Sequence, residues 1–316
     1  MYLGRYRFTL IAQDEINLPP FIGSILRGGF GYSLKRLVCI IKRRGCSGCI
    51  LEEKCAYRLI FETSPTVETP KFMGISQLPR PFVLKIPFDP KARRTRIGRG
   101  EAFTFQLILI GRAIDLLPHI IVSLSRLARM GLGRDKGRAV LHSVHAVGLG
   151  EERLVYDGMR ERLFDPPEPI SSDRIVSSFS LPDPHRVTIN YLTPTRIKVR
   201  GDLVFPIRFH HLIKSLLHRI SMLSYLHCGQ IPDLDYVGLM RAAEKVEMIG
   251  EGQRWLELSR YSSRQRTKMF VGGAIGRTSY RSDEDLSDFC PLLALGEWIN
   301  AGKLTTMGLG SFEVIR

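Results

Sequence analysis

The tetrapeptide Met-Gly-Leu-Gly occurs twice, at residues 130–133 and 307–310, each time between a helix-like segment and a final strand. An internal repeat constrains a chain more than its composition does, because one supersecondary unit then has to account for both halves. In the first half, Tyr2 to Ala12 alternates like a strand, with Tyr6, Phe8, Leu10 and Ala12 on one face. From about Pro20 to Arg44, Ile22, Ile25, Leu26, Leu34, Leu37, Val38 and Ile41 form one helical stripe. Strands at Phe82–Phe88 and Ala102–Gly111, a helix at Ala113–Met130 and a strand at Arg138–Val147 complete that half. In the second half the corresponding segments are Arg186–Val199, Phe209–His227, a hairpin of Arg254–Tyr261 with Met269–Tyr280, Phe289–Asn300 and Ser311–Ile315. Both halves read β-α-β-β-α-β, the ferredoxin-like order. Between them, Phe164–Ser180 holds Pro166, Pro167 and Pro169 and cannot continue a helix or a central strand. The expected architecture is therefore α+β, with two tandem ferredoxin-like domains. Residues 1–165 form the first, with a cysteine-rich insertion; 166–180 are the linker; 181–316 form the second, with a glycine-rich loop.

Charge narrows the partners. The 316 residues carry 46 Lys and Arg against 31 Asp and Glu, a net charge of +15. The excess is lopsided: residues 1–165 hold 27 cations and 15 acids, residues 166–316 hold 19 and 16. A cationic chain of this kind favours a polyanion, because each phosphate it neutralises releases a condensed counterion. At 44% apolar and 24% charged residues, the chain is no collagen-like, mucin-like or wholly disordered sequence. No apolar run reaches the roughly 18 residues of a membrane span. The N-terminus, with Arg5, Arg7, Asp14 and Glu15, does not read as a secretory signal, so a cytoplasmic setting is expected.

The two glycine-rich turns are the natural phosphate contacts. Gly131, Gly133 and Gly137 in one, and Gly302, Gly308 and Gly310 in the other, permit positive φ and close approach of a ligand. Arg134, Lys136 and Arg138 stand beside the first, and Lys303, Thr305 and Thr306 beside the second. Exposed N–H groups next to cations and hydroxyls suit a phosphate backbone. A basic loop with Lys91, Arg93, Arg94, Arg96 and Arg99 adds to the same expectation. The alternative is that the glycines serve tight helix-to-strand connections.

Cys39, Cys46, Cys49 and Cys55 are spaced C-x6-C-x2-C-x5-C. In a reducing compartment that pattern reads as a tetrahedral thiolate site holding structural zinc, with an iron–sulfur cluster as second choice and unliganded cysteines as the alternative. Its role would be to tie the end of the first helix to the following loop.

Four stretches resemble a known family: Leu26 to Cys39; Cys46-Ser-Gly-Cys49 through Tyr57; Leu192-Thr-Pro-Thr-Arg196; and Pro291 to Trp298 through Gly302 to Gly310. The sequence is similar to the CRISPR-associated endoribonucleases that process precursor CRISPR RNA, in the repeat-associated mysterious protein (RAMP) superfamily. The resemblance implies tandem ferredoxin-like domains with a groove for CRISPR repeat RNA. It implies cleavage without a metal or other cofactor, by attack of a ribose 2′-OH on its own 3′ phosphate. By the same resemblance, Arg264, Arg266 and Lys268 at a hairpin tip are expected to read an RNA stem. Family members often carry a catalytic His on or after the first helix, whereas the first His here is His119.

The remaining candidates are therefore Tyr32, Lys35 and Arg36 on the polar face of the first helix. Tyr32 would orient the 2′-OH, and Arg36, with Lys35 in support, would stabilise the phosphorane. Gly28, Gly29 and Gly31 precede them, each costing about 1 kcal/mol against Ala within a helix, which points to a helix or RNA packed closely there. His211 is the reserve proton carrier; it shares a face with Lys214 and His218 that reads as RNA-contacting or solvated. A non-catalytic RNA-binding subunit of a CRISPR effector complex, alongside other effector subunits, is the second reading. A metal-stapled module assisting RNA modification is the third. A monomer or homodimer away from any membrane fits all three.

Overall fold

The fold was analysed in a computed structural model, which describes residues 1–42, 45–63, 78–92, 95–250, 252–262 and 267–316. The first half contains β1 (Tyr2–Ala12), α1 (Gly23–Val38), α2 (Ala56–Phe61), β2 (Phe82–Lys85), β3 (Ala102–Ile110), α3 (Leu117–Met130) and β4 (Ala139–Val147). The second contains β5 (Arg186–Thr195), α4 (Phe209–Cys228), α5 (Tyr236–Lys245), β6 (Glu247–Ile249), β7 (Gln253–Leu256), β8 (Gly273–Arg281), α6 (Cys290–Ile299) and β9 (Phe312–Ile315). The first sheet runs β2-β3-β1-β4 and continues outward through Glu152–Asp157; the second runs β6-β8-β5-β9, with β7 also on β8. All these pairings are antiparallel. Two ferredoxin-like units in an α+β chain are thus what the doubled β-α-β-β-α-β pattern builds.

The halves stack in four layers. One face of the first sheet (Tyr6, Phe8, Leu10) packs on Leu26, Phe30, Leu34, Ile120 and Leu124 of α1 and α3. Its other face supplies Leu3, Val83, Ile108 and Ile110 to a second core. That core is built on α4 and α6, which the second sheet covers from behind through Ile189, Tyr191, Tyr280 and Phe312. Helix α6 is apolar on nearly every side, with Leu292, Leu293, Leu295, Trp298 and Ile299 all buried, as befits a helix between two sheets. None of the described helices is long and apolar enough to cross a membrane.

Some details depart from the sequence expectation. Helix α1 ends at Val38, short of Arg44: the backbone turns extended at Cys39, whose N–H makes the last helical bond, to the Lys35 carbonyl. The proline-rich segment is ordered: Ile170–Ser171 pairs with β1, and Ser171 caps a short helix, Ser172–Ser177, by accepting from the Arg174 N–H. The hairpin of the second half divides, β7 pairing with β8 while Ser259–Ser262 and Thr267–Phe270 form a separate ribbon.

The α1 glycines have distinct causes. A Cβ on Gly29 would strike Leu127 of α3, and one on Gly31 would press on Phe61 of α2, so here the close neighbours are protein. A Cβ on Gly23 would collide with the backbone carbonyl of Met307, whereas one on Gly28 would meet nothing. Gly23→Ala should therefore destabilise the protein by about 1–3 kcal/mol, as overpacking against unyielding backbone does. Gly28→Ala should stabilise it by about 0.5–1 kcal/mol. Urea denaturation of both variants checks the opposite signs.

Candidate nucleic-acid interface

The second glycine-rich turn is a strut between the halves. Gly302, Gly308 and Gly310 have φ of +76°, +89° and +74°, a conformation that excludes most side chains. Gly310 lies on the Ala301 carbonyl and Gly302 on that of Arg196, while Gly308 approaches Leu84 of β2. Met307 and Leu309 join Phe21, Leu258 and Val271 in a small third core at the first turn of α1. The expectation of open N–H groups is not met at the three glycines: Gly302 donates to Ser215 Oγ (2.9 Å), Gly308 to the Thr305 carbonyl (2.9 Å) and Gly310 to that of Pro194 (3.2 Å). Packing demands these glycines. Lys303 is exposed, Thr306 half-buried and Thr305 buried.

In the first turn, Gly131 and Gly133 also take positive φ, and Gly133 and Gly137 lie against the Asn17 and Glu15 carbonyls. Asn17 pairs with Arg96 in a short ladder of Ile16–Leu18 with Thr95–Ile97, which brings the basic loop beside this turn. Arg134, Lys136 and Arg138 all project into solvent. Arg138 grips Asp14 at 2.8 Å, and Arg96 pairs with Glu15; both carboxyls are held below their usual range by those hydrogen bonds. Arg93, Arg94, Arg264 and Arg266 lie outside the described residues, and Lys268 stands opposite Tyr261 in the ribbon. Both glycine-rich turns are thus seated on one stretch of chain, the first on Asn17 and the second on Gly23.

The structure brings Tyr32 and Arg36 together. Arg36 Nη1 donates to Tyr32 Oη at 3.1 Å, and Tyr32 remains 54% exposed. Lys35 points the other way, its ammonium 5.2 Å from the Tyr57 ring centre. His211 sits in the first turn of α4, in the other half. Its Nδ1 accepts the Arg208 N–H at 3.2 Å, and its ring meets that of His210. Burial, helped by His210, Arg208 and Lys214, pushes its pKa down to about 4, so it is neutral at pH 7. Lys214 is exposed one turn away. Cys39, Cys46, Cys49 and Cys55 are free thiols lining one pocket with Tyr57 and Arg58. Among the described residues, no three His, Cys, Asp or Glu side chains are grouped to hold a metal ion.

Sequence reasoning missed the cleft between the halves. Arg7, Lys85 and Gln106 of the first sheet face Thr193 and Ser311 of the second half there. Lys85 Nζ donates to the Glu297 carbonyl (2.5 Å) and Ser311 Oγ (3.1 Å). Arg5 lies over the Trp298 ring, 3.6 Å from its centre. Burial, reinforced by Arg5, pushes the Lys85 pKa down to about 7 against the pull of Glu297 and Glu313. The signal was available: the run Pro291–Ile299 is apolar on nearly every side, Glu297 apart, so a second sheet had to cover it, and the polar-looking face of β1 was the one at hand.

The second half matches the family model described as CRISPR-associated endoribonuclease Cas6, over residues 189–312, and a model described as an N-terminal domain matches residues 1–168. Residues 189–312 are a Cas6-type domain. An uncharacterized protein of Archaeoglobus fulgidus is 31% identical over 300 residues, covering 95% of this chain and 93% of that one. Among solved structures, a Cas6 product complex superposes with a TM-score of 0.60 at 16% identity, over 99% of each chain. Thermus thermophilus Cas6 gives 0.56 at 14% identity, over 99% of this chain and 98% of that one. The Cas6-type fold therefore spans both halves.

Lys85 makes the junction pH-sensitive. Its folded pKa lies below the ordinary 10.5, so between about pH 7 and 10.5 the unfolded chain binds the extra proton. The cost of the buried cation is full below pH 7 and is relieved as pH rises through that window. Lys85→Met should abolish this gain: the stability difference, wild type minus variant, should rise from pH 7 to pH 9.5 in matched denaturation curves.

Proposed function

We propose that this chain is an endoribonuclease that cuts CRISPR repeat RNA into guide RNAs. The observation that carries the reading is the Cas6 match over residues 189–312, the half whose glycine-rich strut rests on the first turn of α1. The reaction needs neither a metal nor a covalent enzyme intermediate. The 2′-oxygen forms a bond to the adjacent phosphorus, the bond from phosphorus to the 5′-oxygen breaks, and the products end in a 2′,3′-cyclic phosphate and a 5′-OH. The 2′-OH proton is lost and the leaving oxygen gains one. Holding the three reacting centres in line supplies much of the rate. Phosphates are held by Arg96, Arg134, Lys136, Arg138 and Lys303, with Lys214 alongside.

At the scissile bond, Arg36 faces the developing phosphorane charge. Its hydrogen bond to Tyr32 Oη leaves the phenol proton free to orient the 2′-OH. Lys35, whose ammonium lies toward Tyr57, supports only by its charge on the same helix, and neutral His211, in the other half, is the reserve proton carrier. A non-catalytic RNA-binding subunit is the second reading, favoured by the absence of any His before His119.

Labelled repeat RNA incubated with the protein in EDTA should be cut at one position, with a cyclic phosphate at the new end. A single 2′-deoxy substitution there should abolish cutting and spare binding. Arg36→Ala should slow cleavage about 100-fold or more, the usual loss when a transition-state donor is removed. Unchanged rates in Tyr32→Phe, Arg36→Ala and His211→Ala would refute this site, and tight binding without cleavage would favour the second reading.

The four cysteines we assign to structural zinc, with an iron–sulfur cluster as the second choice. The loop that carries them has little core of its own: Ile50 is 89% exposed and no residue of Glu52–Lys54 is buried. Protein purified anaerobically should hold about one zinc or one cluster per chain. Cys49→Ala should lower thermal stability more than RNA affinity. Absence of both metals would refute the assignment.

A further inference from the structure

Two large aromatic side chains of the second half stand in solvent against each other. The Phe205 and Trp255 rings meet edge to face, with centroids 5.8 Å apart and planes at 82°. Phe205 is 47% exposed and Trp255 37%. Aromatic rings are normally spent on cores, and a solvated pair flanked by charge calls for a ligand.

The pair is held rigidly. Trp255 lies on β7, paired with Ala274 of β8, and its indole N–H donates to Glu257 at 3.0 Å. The loop bearing Phe205 is pinned two residues on, where the Ile207 N–H donates to Gln253 Oε1 (2.8 Å) and the Gln253 amide donates back to the Ile207 carbonyl (2.9 Å). Gln253 belongs to the same strand as Trp255. Little freedom is lost when a ligand settles on rings fixed in this way. The charge carried by the same two segments points to the ligand class. Lys198, Arg200, Arg208 and Arg254 are exposed in the two segments that carry the rings, against Asp202 and Glu257. Glu257 is already engaged by the indole. Cations on the two segments that carry the rings favour a planar base on a phosphate backbone over an apolar protein partner.

We propose that Phe205 and Trp255 form a stacking platform for an unpaired base of the RNA substrate. The inference rests on the RNA-processing reading and adds to it a contact on the edge strand of the second sheet, away from Tyr32 and Arg36. Stacking on a ring tolerates any base, so the platform contributes affinity and register along a single-stranded part of the RNA.

The experiment uses the full-length chain and a fluorescent single-stranded repeat RNA. The chain has two tryptophans, and Trp298 is only 4% exposed, beneath Arg5. A change of indole emission during titration with RNA therefore reports on Trp255, and quenching is expected. The double variant Phe205→Leu with Trp255→Leu should bind about tenfold more weakly, equivalent to ~1.4 kcal/mol. Its dependence on salt should keep the wild-type slope, because no charge is removed. Trp255→Phe, which retains a stacking ring, should keep most of the affinity and guards against a folding defect. Unchanged affinity in the double variant would overturn the platform and leave the RNA-processing reading standing. Lost self-association with RNA affinity intact would assign the rings to a protein contact and overturn it as well. Wild-type protein that binds no repeat RNA would remove the platform together with the reading beneath it.

Discussion

Helix α6 has almost no polar side, and burying it on both faces is the constraint from which the rest of the architecture follows. Its residues Leu292, Leu293, Leu295, Trp298 and Ile299 need cover from two directions. One sheet of the same half supplies the first; the far face of the other half's sheet supplies the second, through Leu3, Val83, Ile108 and Ile110. The halves therefore share a core, unlike domains that merely touch. Gly296 sharpens the fit, since a Cβ there would strike Phe312 and Leu216.

From that sandwich the functional region is positioned. The chain leaving α6 enters the second glycine-rich turn directly, so fixing the helix fixes the strut that reaches α1 and β2. The price is a group of cations enclosed at the junction. Arg5 is drawn down to about 10 by burial despite Glu297, and Lys85 more steeply. The Glu297 carbonyl and the Trp298 ring, both on α6, receive these cations, so the helix that needs cover also supplies polar contacts to what covers it. Outside the junction, Arg96 and Arg138 are paired with carboxylates while Arg134, Lys136 and Lys303 stand open.

Much of this was legible in the sequence because it depends on local patterns. Alternation in Tyr2–Ala12, the stripe of α1 and the repeated Met-Gly-Leu-Gly gave both units and the order of their elements. What stayed hidden depends on which surfaces meet. Arg5, Arg7 and Lys85 look like ordinary outward-facing residues until the second half lies over them. Phe205 and Trp255, fifty residues apart, become a pair only when Gln253 reaches Ile207. The glycines of the two turns were found for a partly different reason than the one that holds them: at Gly302 and Gly310 a neighbouring carbonyl, not a ligand, forbids the Cβ. Tyr32 and Arg36 are one helical turn apart, so their contact was implicit in their spacing, while their chemical role was not.

The central claim is that both glycine-rich turns, seated on residues 17–23, face one RNA. Photo-cross-linking with repeat RNA carrying a photoreactive base, followed by mass spectrometry of the joined peptides, tests it most directly. The account predicts cross-links in residues 131–138 and in residues 302–306 from the same complex. Cross-links confined to one half, or falling only at the outer sheet edge around Glu152–Asp157, would contradict it.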